Sequence, residues 1–388
     1  MFNFKMYNWK KLNISLIVMV LIVCITGAFM IRIADTTKGV NLFAKQIFGI
    51  VLSLIIATVV ILVDYHFICT FAPLLYAGGI ILLLLVRVPG LGVTLFEAKR
   101  WIQVGPIQIQ PSEFVKVIMI VTLATFFSKY SAKINSIKII GISIVLLTVP
   151  LLFILKQPDL SSSLVLVFVF VIMIYTAEIS YKIIFPIVII GVPGLTALVW
   201  YILQTGSSLG GLINKYQLER ILGLIHPEEY GDKMYQQNES VKMISSGRLY
   251  GILTGSISKS ELSSPHLAIS ESDFIFTVIG ETLGFIGTCV IMLLLAIIIF
   301  KCLMVAKRAR DMLGRLICAG VASMLMFQVF VNIGVATRIL PNTGLPLPFL
   351  SYGLTALISY MVAIGLVINV DLQGRSSKSM TPADYIDF

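Results

Sequence analysis

Long apolar blocks separated by short polar segments run through almost the whole chain. Each block is about twenty residues long, the length that an α-helix needs to cross the hydrocarbon core of a bilayer. Strands of an outer-membrane barrel would instead alternate apolar and polar positions over about ten residues. The pattern therefore predicts an all-α polytopic membrane protein, a single integral membrane domain over residues 1–388. The ten predicted spans lie near residues 12–33, 42–63, 67–86, 114–128, 137–155, 160–177, 182–203, 274–300, 312–336 and 350–370.

Composition supports the same class of protein. Hydrophobic residues make up 58% of the chain and charged residues 12%, against roughly 25% charged in a soluble domain, so a water-soluble globule is excluded. The net charge of +10 is compatible with nucleic-acid binding, but the basic residues lie mostly between apolar blocks. Membrane orientation and anionic lipids explain them better, and we expect no nucleic-acid partner.

The distribution of Lys and Arg predicts how the chain is oriented. Lys5, Lys10 and Lys11 precede the first block as in a signal peptide, but that block is a full span and others follow, so we expect an uncleaved first helix. Ten spans place both termini on one side. If that side is cytoplasmic, the short inside segments carry about twice as many cations as the short outside ones, which favours N-in, C-in. The loop of residues 204–272, between the seventh and eighth spans, is then extracytoplasmic.

Several chemistries have no support in the sequence. There is no P-loop and no glycine-rich dinucleotide motif, and the three histidines, His66, His226 and His266, are scattered, so we expect no metal site built from them. The five cysteines fall in or beside apolar blocks, which argues against a disulfide framework. Without a P-loop, the sequence gives no support for ATP-driven chemistry.

An ionisable pair is predicted near the outer end of the fourth span. Pro111 suits the first position of a helix, so that Gln110 caps it and Glu113 can accept from free backbone N–H groups. Lys116 follows three residues later on the same face. A charged pair at that depth normally faces a polar cavity or the bundle interior, so a structural ion pair and a functional one both stay open.

Three further acids lie at predicted outer ends of spans. Asp159 follows Pro158, and capping alone explains it adequately. Asp273 also suits the first turn of its span after a serine cap. Glu281 lies eight residues further, about two turns deeper on the same face, where capping cannot explain it. Asp273 and Glu281 thus predict one polar face that descends from the outer surface.

The last outer segment is unusually rich in proline. Between Arg338 and Ser351 it contains Pro341, Pro346 and Pro348 with apolar residues between them. Such a stiff segment is tolerated at membrane depth only where it lines a cavity. We therefore expect a re-entrant or surface-lying loop beside the polar face.

At these residues the chain resembles the SEDS family (shape, elongation, division and sporulation), typified by RodA and FtsW. The resemblance runs from about Arg100 to the tenth span, and the motifs together are highly specific. They are RW at Arg100, QPSE-x-x-K (Gln110 to Lys116), QPD (Gln157 to Asp159), YQ-x-x-RI (Tyr216 to Ile221), YQ (Tyr235, Gln236), DFIF-x-x-x-GE-x-x-GF (Asp273 to Phe285) and P-x-TG-x-PLPF-x-SYG (Pro341 to Gly353).

This resemblance implies a peptidoglycan glycosyltransferase of the bacterial cytoplasmic (inner) membrane. It would polymerise lipid II, an undecaprenyl-pyrophosphate-linked glycan, outside the membrane together with a class B penicillin-binding protein, in elongation, division or sporulation. The essential acid of the family corresponds to Asp273, which suits a general base for the acceptor hydroxyl. The leaving pyrophosphate needs cationic stabilisation, for which Lys116 is the first candidate, followed by Arg338 and Arg100.

The rest of the expected substrate-binding site follows from the same motifs. No cofactor is certain, although a divalent cation bridging the pyrophosphate is open. The remaining residues expected there are Glu113, Asp159, Glu281 and Ser351.

The chain also departs from the family pattern. A stretch resembling GSGG-x-x-GKG reads here as Ser245 to Leu253, with glycines and a lysine replaced. The approach LPE-x-HTD reads as Leu267 to Asp273, with Glu271 in the place of the histidine, and Arg338 stands where glycine is common. These changes predict a divergent member in which the loop that closes over substrate is altered. Two other functions stay open: a lipid II flippase, and a non-catalytic membrane scaffold for a transpeptidase.

Overall fold

The fold is a bundle of apolar helices with a small sheet at one end. The computed structural model describes residues 7–9, 12–35, 41–95, 98–105, 107–183, 234–252 and 270–374, with isolated positions 189, 219, 222, 223 and 267. The helices, in chain order, are α1 (Ile14–Ala34), α2 (Leu42–Leu62), α3 (Tyr65–Thr70), α4 (Ala72–Leu85), α5 (Pro111–Lys129), α6 (Ile137–Leu155), α7 (Leu160–Thr176), α8 (Tyr235–Ser246), α9 (Ile275–Arg308), α10 (Met312–Ala336) and α11 (Leu354–Gln373).

The multi-pass helical architecture is confirmed. Within the described ranges, seven helices are long and apolar enough to cross a membrane: α1, α2, α5, α6, α9, α10 and α11. The shorter apolar helices α4 and α7 coincide with two more predicted spans. The third predicted span is divided at Phe71 into α3 and α4, since Pro73 at the start of α4 removes a backbone donor. The seventh, near 182–203, lies almost entirely outside the described residues, so the number ten stays a prediction.

Three helices form the centre of the bundle. In the most apolar stretch of each helix, 72% of the residues are buried in α5 and in α10 and 78% in α11. The corresponding share in α2 is only 28%. The central helices contact one another, α10 also packs against α7 and α9, and α2 lies along α11. Apolar side chains on the outer helices remain exposed, as expected of surfaces that face lipid acyl chains.

A three-stranded antiparallel sheet precedes α5, and an all-α reading was wrong here. Its strands are β1 (Gly92–Leu95), β2 (Ala98–Val104) and β3 (Ile107–Ile109), in the order β1-β2-β3. The pairing places Ile102 opposite Ile109. The strands are only three to seven residues long, too short to stand out from a polar connection in the sequence. The sheet matters because β2 carries Arg100.

The predicted loop 204–272 contains ordered secondary structure. Helix α8 packs against α9 and α10, and the turn after it reaches the middle of α9. There α9 is interrupted at Gly284, whose backbone (φ 68, ψ −168) is not helical. The part of this segment that the structure describes is therefore built into the bundle.

A charged junction joins helices at the end of the bundle away from Asp273. His66 Nδ1 lies 3.0 Å from Asp64 and its Nε2 lies 2.7 Å from Asp311. Asp64 caps α3 and Asp311 caps α10, while the Tyr65 hydroxyl donates to Asp311 over 2.9 Å. Burial alone lowers the pKa of His66, but hydrogen bonds and charges from Asp311 and Asp64 outweigh it and raise the pKa to about 9. The imidazolium therefore bridges two helix caps at neutral pH.

High pH should weaken this junction. The folded pKa of His66, about 9, exceeds the unfolded value of about 6.5, so its stabilisation is fully present below about pH 6.5 and is lost as pH rises through the folded pKa. We expect the melting temperature of the wild type in detergent to fall towards that of His66→Gln between about pH 7 and about pH 10. Parallel curves for the two proteins across that range would contradict the prediction.

Candidate functional site

Asp273 lies in a turn directly before α9 and is held against the proline-rich segment. Its carboxylate accepts from the Ser272 hydroxyl over 2.9 Å, and a Cβ placed on Gly344 would lie 3.2 Å from Oδ2. The Asn332 amide donates to the carbonyls of Asp273 and Leu345 over 2.8 and 2.7 Å. One side chain of α10 thus ties the Asp273 turn to the segment that faces it.

Asp159 joins three elements on the other side of the same segment. It caps α7, accepting from the Ser162 backbone over 3.0 Å. Its second oxygen accepts from Ser112 and Gln110 of the α5 start over 3.2 and 3.4 Å, and Arg100 of β2 lies 3.9 Å away. The capping prediction is confirmed. The structure adds that Asp159 fixes β2, α5 and α7 together.

The surroundings of Asp159 favour its charged form. Burial acts to raise the pKa of its carboxyl, but the Arg100 guanidinium and the Ser162 hydrogen bonds act against burial and hold the pKa below its ordinary value. The charge of Lys116 acts in the same direction. A carboxylate so placed is a fixed negative charge at the end of the bundle where Asp273 lies.

The predicted Glu113–Lys116 pair forms inside the protein. Pro111 and Glu113 occupy the first turn of α5, as the sequence predicts. The Lys116 ammonium lies 2.7 Å from Glu113 Oε1, and both side chains are only 1% exposed. The pair therefore lies beneath the surface on which Asp273 lies, in the bundle interior.

The two candidate arginines are closer to solvent. Arg100 is partly exposed, and its guanidinium donates to the carbonyls of Gln157 and Pro158. Arg338 is exposed and has a left-handed backbone (φ 62) at the turn after α10. Both cations lie at the same end of the bundle as Asp273.

Ser351 lies where the proline-rich segment meets the Asp273 turn, and Glu281 lies inside the bundle. The Ser351 hydroxyl donates to the Ser272 carbonyl over 2.6 Å and accepts from the Leu347 backbone over 2.7 Å, so it links the Asp273 turn to the proline-rich segment. Glu281 is buried in α9, next to Gly247. Helix α9 begins at Ile275, so Asp273 lies outside the helix, and the prediction that Asp273 and Glu281 share one helical face was wrong.

The candidates thus form two groups with a short segment between them. Arg100, Asp159, Glu113 and Lys116 surround the starts of α5 and α7, whereas Asp273 lies in the turn before α9. Ser351, at the end of the proline-rich segment, is hydrogen-bonded to that turn. Thr343 and Gly344 lie between the groups, since the Ser161 hydroxyl donates to the Thr343 carbonyl and Gly344 faces Asp273. Arg338 and Glu281 belong to neither group.

Sequence reasoning missed the neutral residues that hold this arrangement. Asn332, Gln237 and Ser240 are all buried, with 0–1% exposure, and each hydrogen-bonds to backbone or side-chain groups of another element. A buried amide near the end of an apolar span was a usable signal for Asn332. Nothing in the sequence indicates which carbonyls it binds.

Most of the chain matches a known family and named relatives. The model of the FtsW, RodA and SpoVE family, described as cell cycle protein, matches residues 9–376. Stage V sporulation protein E of Bacillus subtilis (strain 168) is 34% identical over 317 residues, covering 81% of this chain and 82% of that protein. Peptidoglycan glycosyltransferase MrdB of Escherichia coli (strain K12) is 29% identical over 366 residues, covering 93% and 94%.

Solved structures share the fold. A chain from a peptidoglycan synthase complex, described for its structural coordination of polymerization and crosslinking, superposes with a TM-score of 0.74 and 25% identity over 94% of this chain and 97% of that chain. The rod shape determining protein RodA of Thermus thermophilus has a TM-score of 0.68 and 23% identity over 95% and 98%. The similarity to the Thermus thermophilus protein is a similarity of fold.

Proposed function

This chain belongs to the FtsW, RodA and SpoVE family, and from that membership and the outer site we propose that it polymerises lipid II into peptidoglycan glycan strands. The chain is a peptidoglycan glycosyltransferase and a multi-pass membrane protein. The observation that carries the proposal is the position of Asp273, half-buried in a turn that Asn332 and Ser351 hold in place and that Gly344 faces.

Asp273 is the proposed general base. In glycosyl transfer an acceptor hydroxyl attacks the anomeric carbon of the donor sugar and must lose its proton, which a positioned carboxylate accepts. The glycosidic bond forms as the bond to the lipid pyrophosphate breaks. Because Asp273 lies outside α9, its carboxylate can meet a sugar at the membrane surface while the lipid chain stays in the bilayer.

The departing pyrophosphate carries negative charge that needs cations nearby. Arg338 is exposed and Arg100 partly exposed, so both can reach a surface-bound phosphate. Lys116 stays a candidate, but its ammonium must leave Glu113 to touch substrate. A divalent cation would rely on Asp273 and on the phosphate oxygens, because the described residues contain no cluster of three or more His, Cys, Asp or Glu side chains.

Arg338→Gln should raise the KM for lipid II about tenfold to a hundredfold, since one charge-assisted contact to phosphate is worth roughly 1.5–3 kcal/mol. The melting temperature should not change, because the side chain is exposed. Arg315→Gln is the matched control, since that arginine begins α10 at the opposite end of the bundle and pairs with Glu178. Equal KM values for the wild type and Arg338→Gln would remove Arg338 from the site.

We further propose the N-in, C-in orientation, which places Asp273 outside the cytoplasmic membrane of a bacterium, where lipid II is polymerised. The excess of cations on the opposite segments supports this orientation. The partner is a penicillin-binding protein, which we propose to be of class B. The similarity to a chain of a synthase complex that combines polymerization with crosslinking supports this partner.

Lipid II handling in liposomes tests the proposed function against a flippase. The glycosyltransferase, supplied with its partner, converts labelled lipid II to polymer, and Asp273→Ala stops the conversion. Translocation without polymer, unaffected by Asp273→Ala, would instead support a flippase. Against that alternative, the buried Asn369 and Gln373 at the far end of α11 use their amide donors on backbone carbonyls and neighbouring side chains.

A further inference from the structure

Two buried residues of helix α8 hydrogen-bond to the end of α10 and to the segment that follows it. Gln237 and Ser240 are both 0% exposed. The Gln237 amide donates to the carbonyls of Val335 and Leu340 over 2.9 and 2.8 Å. The Ser240 hydroxyl donates to the Ala336 carbonyl over 2.8 Å and also meets Thr277 of α9.

These bonds satisfy backbone carbonyls at the C-terminal end of α10. The last carbonyls of a helix have no intrahelical partner, and α10 ends at Ala336. Gln237 donates to the carbonyl of Val335, which also accepts from the Arg338 N–H over 3.1 Å, and Ser240 donates to that of Ala336. Gln237 also reaches Leu340, four residues beyond the end, so the same amide fixes the first part of the segment that leaves α10.

That segment leads directly to Asp273. After Leu340 come Asn342, whose amide donates to the Gln236 side chain over 3.0 Å, and then Thr343 and Gly344. Gly344 faces the Asp273 carboxylate: a Cβ built on Gly344 would lie 3.2 Å from Asp273 Oδ2. The position of α8 therefore sets where the residues opposite the carboxylate lie.

The turn that follows α8 packs into the interruption of α9. Because Gly284 is not helical, the N–H groups of Phe285 and Ile286 are released from α9, and they donate to the carbonyls of Arg248 and Leu249 over 2.8 and 3.1 Å. The backbones touch: a Cβ on Gly251 would lie 2.2 Å from the Thr282 carbonyl, and one on Gly284 would lie 2.3 Å from the Gly251 nitrogen. Both glycines also have positive φ, 75° and 68°, so α8 is held firmly at this end.

We propose that α8 is a positioning element for the active site: anchored in α9 at Gly251 and Gly284, it uses Gln237 and Ser240 to hold residues 340–344 against Asp273. Gln237 and Ser240 are positioning residues, since they act through the segment and touch no reacting atom. This inference rests on the proposed function for its catalytic consequence, but its structural part does not.

Two measurements on the full-length protein with its partner test the proposal. Gln237→Met keeps the length of the side chain and removes both hydrogen bonds, and we expect the turnover number at saturating lipid II to fall about tenfold to a hundredfold, as displacement of a catalytic geometry by about 1 Å does. The KM should change less than about twofold, because no substrate contact is lost. Hydrogen exchange of peptides covering residues 337–346 should become faster.

Matched variants keep the test decisive. Lys242→Gln lies on the same helix, with a side chain that is 71% exposed, and should change neither turnover nor exchange. If Gln237→Met does not fold, Ser240→Ala takes its place and should lower turnover. Ser240→Thr keeps the hydroxyl and should retain turnover. If the folded wild type makes no polymer, the proposed function fails, and hydrogen exchange alone then decides whether α8 holds the segment. Unchanged exchange, or faster exchange with unchanged turnover, overturns the proposal.

Discussion

Asp273→Ala is expected to lower the turnover number of lipid II polymerisation about a thousandfold, the middle of the range that a positioned general base contributes. The carboxylate is half-buried in a turn, and its local hydrogen bond comes from Ser272. The turn itself is held through the Asp273 backbone by Asn332 and through Ser272 by Ser351. The melting temperature should therefore stay close to that of the wild type, and turnover of purified protein with its partner is the measurement.

A neighbouring acid provides the control for this prediction. Glu271 lies two residues before Asp273; its backbone carbonyl accepts from the Tyr352 N–H over 2.8 Å, and its carboxylate accepts from the Ser270 hydroxyl over 3.5 Å. Glu271→Gln should retain most of the turnover, since the base must lie at one position rather than anywhere in the turn. Equal losses in Glu271→Gln and Asp273→Ala would mean that only the net charge of the turn matters.

Lys116→Met should produce the largest loss of stability. The ammonium of Lys116 is the partner of Glu113 Oε1, and the other oxygen, Oε2, has no hydrogen-bond partner within the described part of the chain. Removing the lysine leaves a carboxylate in the bundle interior with nothing to balance its charge. Breaking a buried pair in this way lowers the free energy of unfolding by about 3–5 kcal/mol, measured as unfolding in detergent.

A double variant separates pairing from packing. Lys116→Met combined with Glu113→Gln removes both charges and should recover much of the lost stability, because neutral buried groups are less costly than a lone charge. Lys242→Gln breaks an exposed pair with the same spacing, to Glu239 on α8, and should leave the melting temperature unchanged. If Lys116→Met is as stable as the wild type, the pair does not hold α5 in place.

Much of the bundle could be predicted because apolar blocks of membrane length leave few alternatives. The predicted spans near 42–63, 137–155 and 312–336 coincide almost residue for residue with α2, α6 and α10. Where prediction failed, the structure depends on contacts between distant segments. The interruption of α9 needs Gly251 against Gly284, and neither glycine by itself indicates a break.

The site was predictable for its charges and not for its neutral residues. Asp159 and Asp273 stand out because acids are rare in an apolar chain, and the Glu113–Lys116 pair follows from helical spacing. Asn332 and Gln237 act through backbone carbonyls of other elements, and a carbonyl leaves no mark in a sequence. Between Ser245 and Leu253 the chain departs from the family pattern, but the two glycines kept there, Gly247 and Gly251, are the ones that contact α9.

Separation of the products formed from labelled lipid II tests the central claim most directly. The purified chain is incubated with lipid II and its penicillin-binding protein partner, and the glycan products are resolved by length on a gel. The wild type should give a ladder of polymers, and folded Asp273→Ala should give none. A folded wild type that leaves lipid II unpolymerised, or a ladder of equal strength from Asp273→Ala, would contradict the assignment of the region around Asp273 as a glycosyltransferase site.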